Sequence, residues 1–298
     1  HKTVSRDYPY YYSSHQASSY RYQRLKKLMN RSGKKTAADI WEFQRDTLNL
    51  MAKAIAPIMA ETLTKHEETR TMGEILSQWD FHDDQNQAAP IIFQAVYRDF
   101  ARLVFIDELG ENLTGTMLSN WYFWQERLQR MILNNNSSWF DDQNTAEVTE
   151  SRDDLFYQAA LNAVQDLSGR LGSIPGKWRW GKIHRIEYLN PIRQKGIGKG
   201  VLGGGSHPVS GSGETLRRNM YDFNRPFDVI ISDSLRMVAD LGDSEKVLAV
   251  LPGGVSGRTF HPHAKDQIES FIKGEKEFWW FSDAAIRAHT ETTLMLVP

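Results

Sequence analysis

Ser256, His261, His263 and Asp266 are the residues whose types and spacing come nearest to chemistry in this chain. A hydroxyl, two imidazoles and a carboxylate close together could supply a nucleophile, its base and the group that orients the base. The sequence Gly253-Gly254-Val255-Ser256-Gly257 sets its glycines one position away from the Gly-x-Ser-x-Gly elbow that presents an exposed serine on a strained turn. Ser256 is therefore not read as a classical nucleophile. His261 and His263 would point the same way along extended chain and could both reach one metal ion. No third or fourth ligand has helpful spacing, and Pro262 between them suits a turn. Asp266, Gln267 and Glu269 then read as the acidic first turn of a helix. No metal site is expected here.

Other patterns carry less. Gly198-Lys-Gly-Val-Leu-Gly203 matches the dinucleotide fingerprint formally, yet Gly204-Gly-Ser-His-Pro208 follows it. A pyrophosphate site needs a helix to begin there, and this sequence cannot start one. Trp79-Asp-Phe-His-Asp-Asp84 is acidic but lacks the spaced ligands and glycine of a calcium-binding loop, so it reads as a polar turn after a helix. The zinc-protease and phosphate-loop motifs are absent. Two Asn-x-Ser/Thr sequons, at Asn112 and Asn136, are read as chance matches.

The elements that must position these residues divide along the chain. Thr36 with Asp39 has the spacing of a capping box, and Ile40, Phe43, Met51, Ile55, Ile58 and Met59 follow at helical intervals. The pattern predicts one long helix with a kink at Pro57. Pro90 opens a second helix with Phe93, Val96, Tyr97, Phe100 and Leu103 on its apolar face. A third is expected from Leu118 through Trp121, Trp124, Leu128 and Met131. Ser151 and Asp154 cap a fourth that stops near Gly172. Beyond it, Trp178, Trp180, Ile186 and Tyr188 suggest a strand region with a bulge at Gly181. After a Gly-rich loop at 196–213, strands are expected at Asp228–Ser232, Leu235–Leu241, Val247–Leu251 and Thr292–Val297. Helices first and strands later predict an α+β chain, with a mainly helical layer over 1–172 and a β-rich part over 173–298.

Composition sets outer bounds. With 298 residues, 40% hydrophobic and 24% charged, the chain is ordinary for a globular protein. Lys+Arg 36 against Asp+Glu 37 gives no field that favours nucleic acid or an anionic membrane. No apolar run is long enough to span a bilayer, and the first residues lack the apolar core of a signal peptide. With Cys 0, disulfides, thiolate metal sites and a cysteine nucleophile are excluded.

Five blocks in order go further. They are Ser18–Asn30 followed by Thr36–Leu63, Ile75–Leu103 with its Trp-Asp turn, Trp180-Gly-Lys-Ile-His-Arg185, Pro208–Thr215 (PVSGSGET), and Ser234–Asp240 with Gly253–Gln267. Together they resemble the C-terminal part of the β-subunit of the penicillin acylase family, among the N-terminal nucleophile hydrolases. The resemblance implies that the strands complete an αββα sandwich beside a helical layer. It also implies an autoproteolytically processed precursor whose new N-terminal Ser attacks an amide carbonyl, with its own α-amine as base. In such an enzyme the oxyanion Asn and a structural calcium site lie upstream of everything matched here.

Residue 1 is His, so the expected nucleophile lies outside this chain and no catalytic residue is carried over. What the resemblance leaves here is an active-site-mouth loop, with Gly254 allowing close approach and Ser256, His261 and His263 offering polar groups. Structural support is the competing role. The expected function is the C-terminal part of an amidohydrolase acting on penicillin, acyl-homoserine lactone or a similar N-acyl compound. This chain alone would be inactive and would hold no cofactor. Its expected partners are the remaining β-subunit segment, the α-subunit and a small N-acyl amide, with no nucleic acid and no membrane. By resemblance the location is periplasmic or secreted, with the cytoplasm still open. A non-catalytic scaffold that keeps the family architecture is the alternative.

Overall fold

The computed structural model describes residues 4, 7–13, 17–120, 123–190, 195–196, 199–243 and 245–296. In chain order the helices are α1 (Tyr20–Met29), α2 (Ala37–Gln44), α3 (Leu50–Thr64), α4 (Arg70–Ser77), α5 (Ala89–Ser119), α6 (Gln125–Asn134), α7 (Arg152–Leu171), the one-turn α8 (Trp180–Ile183) and α9 (Lys199–Leu202), α10 (Ile268–Lys273) and α11 (Asp283–Ala288). The strands are β1 (Arg185–Tyr188), β2 (Gly205–Pro208), β3 (Asn219–Asp222), β4 (Arg225–Ser232), β5 (Arg236–Ala239), β6 (Lys246–Val250) and β7 (Glu277–Trp280). The helices α1–α8 precede the first strand, as the α+β reading expected, while the short α9, α10 and α11 lie among or after the strands.

Two compact units interleave along the chain. The first takes residues 1–30, 46–187 and 206–232; the second takes 31–45, 188–205 and 233–298. In the first unit α3 packs on α4 and α5 on α7, where the Phe100 and Phe156 rings stack with centroids 4.1 Å apart. The strand order is β2-β1-β4-β3, with β1 parallel to β4 and β3 antiparallel to it. Trp178, Trp180, Tyr221 and Phe227 bury against the helices in one continuous core.

The second unit is built on the antiparallel sheet β5-β6-β7, in which Met237 faces Ala249 and Leu248 faces Phe278. Its core is small: Trp41 from α2, Val238, Val250 and Phe271. Trp41 Nε1 donates to Gly274 O at 3.0 Å. Arg236 is buried there too, its guanidinium over the Phe271 ring at 4.0 Å and its Nη1 donating to Phe271 O at 2.6 Å.

Both capping boxes form, at Thr36–Asp39 and Ser151–Asp154, and the strands expected at 228–232, 235–241 and 247–251 appear as β4, β5 and β6. Several expectations are corrected. The single long helix is two: α2 ends at Gln44, and Asn49 starts α3 by accepting from Ala52 N through its side chain. Pro57 sits inside α3 without interrupting it. Leu118 belongs to the end of α5, and the next helix starts at Gln125; Trp121 lies outside the described residues. Trp180 and Gly181 form a helical turn rather than a bulged strand, closed by His184 N donating to Trp180 O at 2.9 Å, and a Cβ on Gly181 would sit 2.8 Å from Pro208 Cβ. Residues 292–296 form no strand: Leu294, Met295 and Leu296 are exposed and pair with no neighbour in a ladder, while Val297 lies outside the described residues. The loop expected at 196–213 contains β2, and its residues 197–198 also lie outside the described set. No described helix is long and apolar enough to cross a membrane.

Candidate functional site

The loop between β6 and α10 carries Gly254, Ser256, His261 and His263, and backbone hydrogen bonds hold it as a closed turn. Ser256 N donates to His263 O at 2.9 Å, and Gln267 N donates to Gly253 O at 3.0 Å. The Gln267 side chain braces the same base, with Oε1 accepting from Leu251 N at 2.8 Å. Gly254 is required by packing: a Cβ there would lie 2.3 Å from His263 O and 2.6 Å from Ala264 C.

Within this loop the polar side chains are already committed. His261 caps a short 3-10 turn (Pro262–Ala264), its Nδ1 accepting from His263 N at 3.1 Å. His263 Nδ1 donates to Asp266 Oδ2 at 2.7 Å. The two imidazoles sit 5.5 Å apart. Ser256 Oγ accepts from Arg258 N at 3.2 Å. A His-Asp pair therefore exists, while the serine hydroxyl engages its own turn rather than either imidazole. Both histidines are exposed, and Ser256, with Thr259 and Lys265, lines an adjacent hollow of about 190 Å³. Such a surface can bind or orient a polar group; it does not assemble a serine nucleophile with its base. Among the described residues no group of three or more His, Asp or Glu side chains is placed to hold a metal ion.

A second constellation lies in the core of the first unit and escaped the sequence reading. Asn49 Nδ2, at the start of α3, donates to Asp83 Oδ2 at 3.0 Å. Gln125 Nε2, the first residue of α6, donates to Glu214 Oε1 at 3.0 Å. Ser212 Oγ donates to Glu214 Oε2 at 3.2 Å and accepts from Glu214 N at 3.3 Å. Loss of hydration pushes Asp83 up to about 7 and raises Glu214 as well. The loop carrying Ser212 is bound to the turn carrying Asp83: Gly211 N donates to Asp83 O at 2.7 Å, and Gln85 N donates to Ser210 Oγ at 3.1 Å.

Next to it, Trp180 stacks on His184 with centroids 4.1 Å apart and donates through Nε1 to Gly211 O at 3.1 Å. His184 Nδ1 donates to Phe227 O at 2.8 Å, and burial pushes the imidazole down to about 4, so it is neutral at physiological pH. The signal available in sequence was the density of Asp, Ser, Glu and Thr in the blocks around Trp79–Gln87 and Pro208–Thr215. Polar density alone does not distinguish a solvated loop from a buried network.

Residues 1–288 match the family model described as penicillin amidase. The acyl-homoserine lactone acylase QuiP of Pseudomonas aeruginosa is 28% identical over 203 residues, covering 61% of this chain and 23% of that protein. QuiP of Pseudomonas fluorescens is 22% identical over 292 residues, covering 92% of this chain and 35% of that protein. Among solved structures, the thermostable penicillin G acylase from Alcaligenes faecalis superposes with a TM-score of 0.57 at 16% identity, over 97% of this chain and 54% of that one. At that identity the likeness is one of fold. The chain spans less than two fifths of the length of these curated relatives.

Proposed function

Because this chain belongs to the penicillin amidase family, we propose that it works as the C-terminal part of an amidohydrolase that cleaves N-acyl amide bonds. The family match over residues 1–288 carries this reading. The activities of the relatives, acyl-homoserine lactone acylase and penicillin G acylase, supply its substrate class. In the proposed reaction an N-terminal Ser of another segment attacks the acyl carbonyl, its α-amine takes the proton, and backbone N–H groups hold the oxyanion.

This assignment of the nucleophile to residues outside the chain is supported by the site geometry: Ser256 is bound into its own turn, and Ser212 is fully buried and hydrogen-bonded to Glu214. The loop with Gly254, Ser256, His261 and His263 fits a place at the mouth, where a rigid backbone carries exposed polar groups. The remaining β-subunit segment and an α-subunit are the partners of this reading, processed from one precursor in a periplasmic or secreted setting. The family's calcium would be held by those upstream residues.

The deciding experiment expresses the full coding sequence and assays release of free acid from an N-acyl-homoserine lactone and from penicillin G, beside the 298-residue chain alone. Hydrolysis by the full product, with a new N-terminal Ser found by sequencing and none by the isolated chain, is the expected result. Hydrolysis by the isolated chain would place the nucleophile within it; inactivity of a processed full product toward both substrate classes would favour the scaffold alternative.

A further inference from the structure

Beside the turn that joins α4 to α5, the first unit holds a hollow of about 390 Å³, its far wall made by Gly176 and Arg179. Small-molecule sites run from about 300 to 1,000 Å³, so this one suits a compact ligand. Two opposite charges line it, Asp80 and Arg179. Neither forms an ion pair with any described residue, although both border the same space. Both are exposed, so a ligand has only to replace the water on them.

Each charged group is fixed by part of its hydrogen-bonding capacity and keeps the rest. Arg179 Nη1 donates to Gly176 O at 2.8 Å and to Trp178 O at 2.6 Å. Its Nε and Nη2 donate to no described residue, and that edge of the guanidinium matches the two oxygens of a carboxylate. Asp80 Oδ1 accepts from His82 N at 3.0 Å, while Oδ2 accepts from no described residue and suits an ammonium. The Gln78 and Asn86 carboxamides also line the hollow and make no side-chain hydrogen bond among the described residues. Ile75, Ala88 and Ala89 supply an apolar part of the wall. The turn beneath is braced by Trp79 Nε1, which donates to His82 O at 2.9 Å.

The lining carries one charge of each sign, and that selects the ligand. A simple anion would meet the Asp80 carboxylate, and a simple cation would meet the Arg179 guanidinium. A molecule with both charges and a short apolar body meets neither penalty. We propose that this hollow binds a free amino acid with an apolar side chain, its carboxylate on Arg179 and its ammonium on Asp80. The side chain lies against Ile75 and Ala88, and the two carboxamides take up the remaining ammonium hydrogens and carboxylate lone pairs. Binding here needs no nucleophile, so the site stands or falls separately from the hydrolytic reading.

Calorimetric titration of the full-length gene product with L-leucine at neutral pH is the test. N-acetyl-L-leucine and L-leucinamide are the companion probes, each lacking one of the two charges. Leucine should bind, and each blocked form should bind at least about tenfold more weakly. Arg179→Gln and Asp80→Asn should each weaken leucine by about tenfold or more. Arg179→Gln should also bind leucine and leucinamide alike, and Asp80→Asn should bind leucine and N-acetylleucine alike. General disruption of the fold would not produce that crossed pattern. No binding of leucine at millimolar concentration overturns the proposal, as does a blocked form that binds wild type as tightly as leucine. Unchanged leucine affinity in either variant overturns it too. Should a variant fail to fold, the three probes on wild type still decide.

Discussion

The two units place similar polar chemistry in opposite environments. In the first, Asp83, Glu214, Ser212 and His184 sit inside a core built from α3, α5, α7 and the four-stranded sheet. In the second, Ser256, His261, His263 and Asp266 ride on an exposed turn, in a unit whose core cluster is four buried apolar residues. Burial converts the first set into a network in which each proton position matters, because an unmet hydrogen bond has no water to replace it. Exposure leaves the second set available to bind or orient, with solvent as the alternative partner. The lesson is that the residues most conspicuous as chemistry in the sequence are the energetically lenient ones.

The sharpest way to break this contrast is Trp180→Ala. It removes a fully buried ring, its stack on His184 and its hydrogen bond to Gly211 O. A loss of about 3–5 kcal/mol in urea denaturation is expected. In the second unit, Arg236→Ala should be next, at about 3 kcal/mol, since it strips the carbonyl of Phe271 and leaves Asp233 without its 3.2 Å ion-pair partner. An equal or larger loss at Arg236 would mean the small core is as rigid as the large one.

His184→Gln tests the buried network through pH. Its imidazole is held down near 4 by burial, so the unfolded chain binds a proton below about 6.5 that the folded chain refuses. Stability from this residue is therefore present above about 6.5 and is lost as pH falls toward 4. Removing it should flatten the acid side by about 1.4 kcal/mol per unit in that window. Asp83 pulls in the opposite direction over the same range, so the slope is read as the difference from wild type rather than from the wild-type curve alone.

The smallest test lies in the exposed turn. Gly254→Ala should destabilise by about 1–3 kcal/mol, because its Cβ would meet His263 O and Ala264 C. Gly253→Ala, with nothing within 4 Å of the added atom, should stay within about 0.5 kcal/mol. Similar effects at the two glycines would show that the turn is looser than its hydrogen bonds imply.

Much of the fold was legible where its causes are local. The capping boxes at Thr36 and Ser151 and the strand runs around 228–250 depend on residues a few positions apart, and they appear where the pattern put them. The break between α2 and α3 was not legible, since Ile40 and Met51 keep a helical interval across it while they serve cores of different units. β7 was missed because Phe278, Trp279 and Trp280 acquire strand character only by pairing with β6. Of the candidate site, the sequence located the glycine-rich turn and its histidines but not their hydrogen-bond commitments.

By itself, then, the sequence determined helix starts, turn positions, the α+β order and the family, all of which rest on short-range pattern or on motif order. Tertiary structure alone decided which polar residues become a site. Asp83 meets Asn49 across 34 positions, and Gln125 meets Glu214 across 89. No local interaction encodes those meetings. They arise when two segments are buried together, and it is the loss of water there that turns ordinary side chains into groups with altered proton affinity.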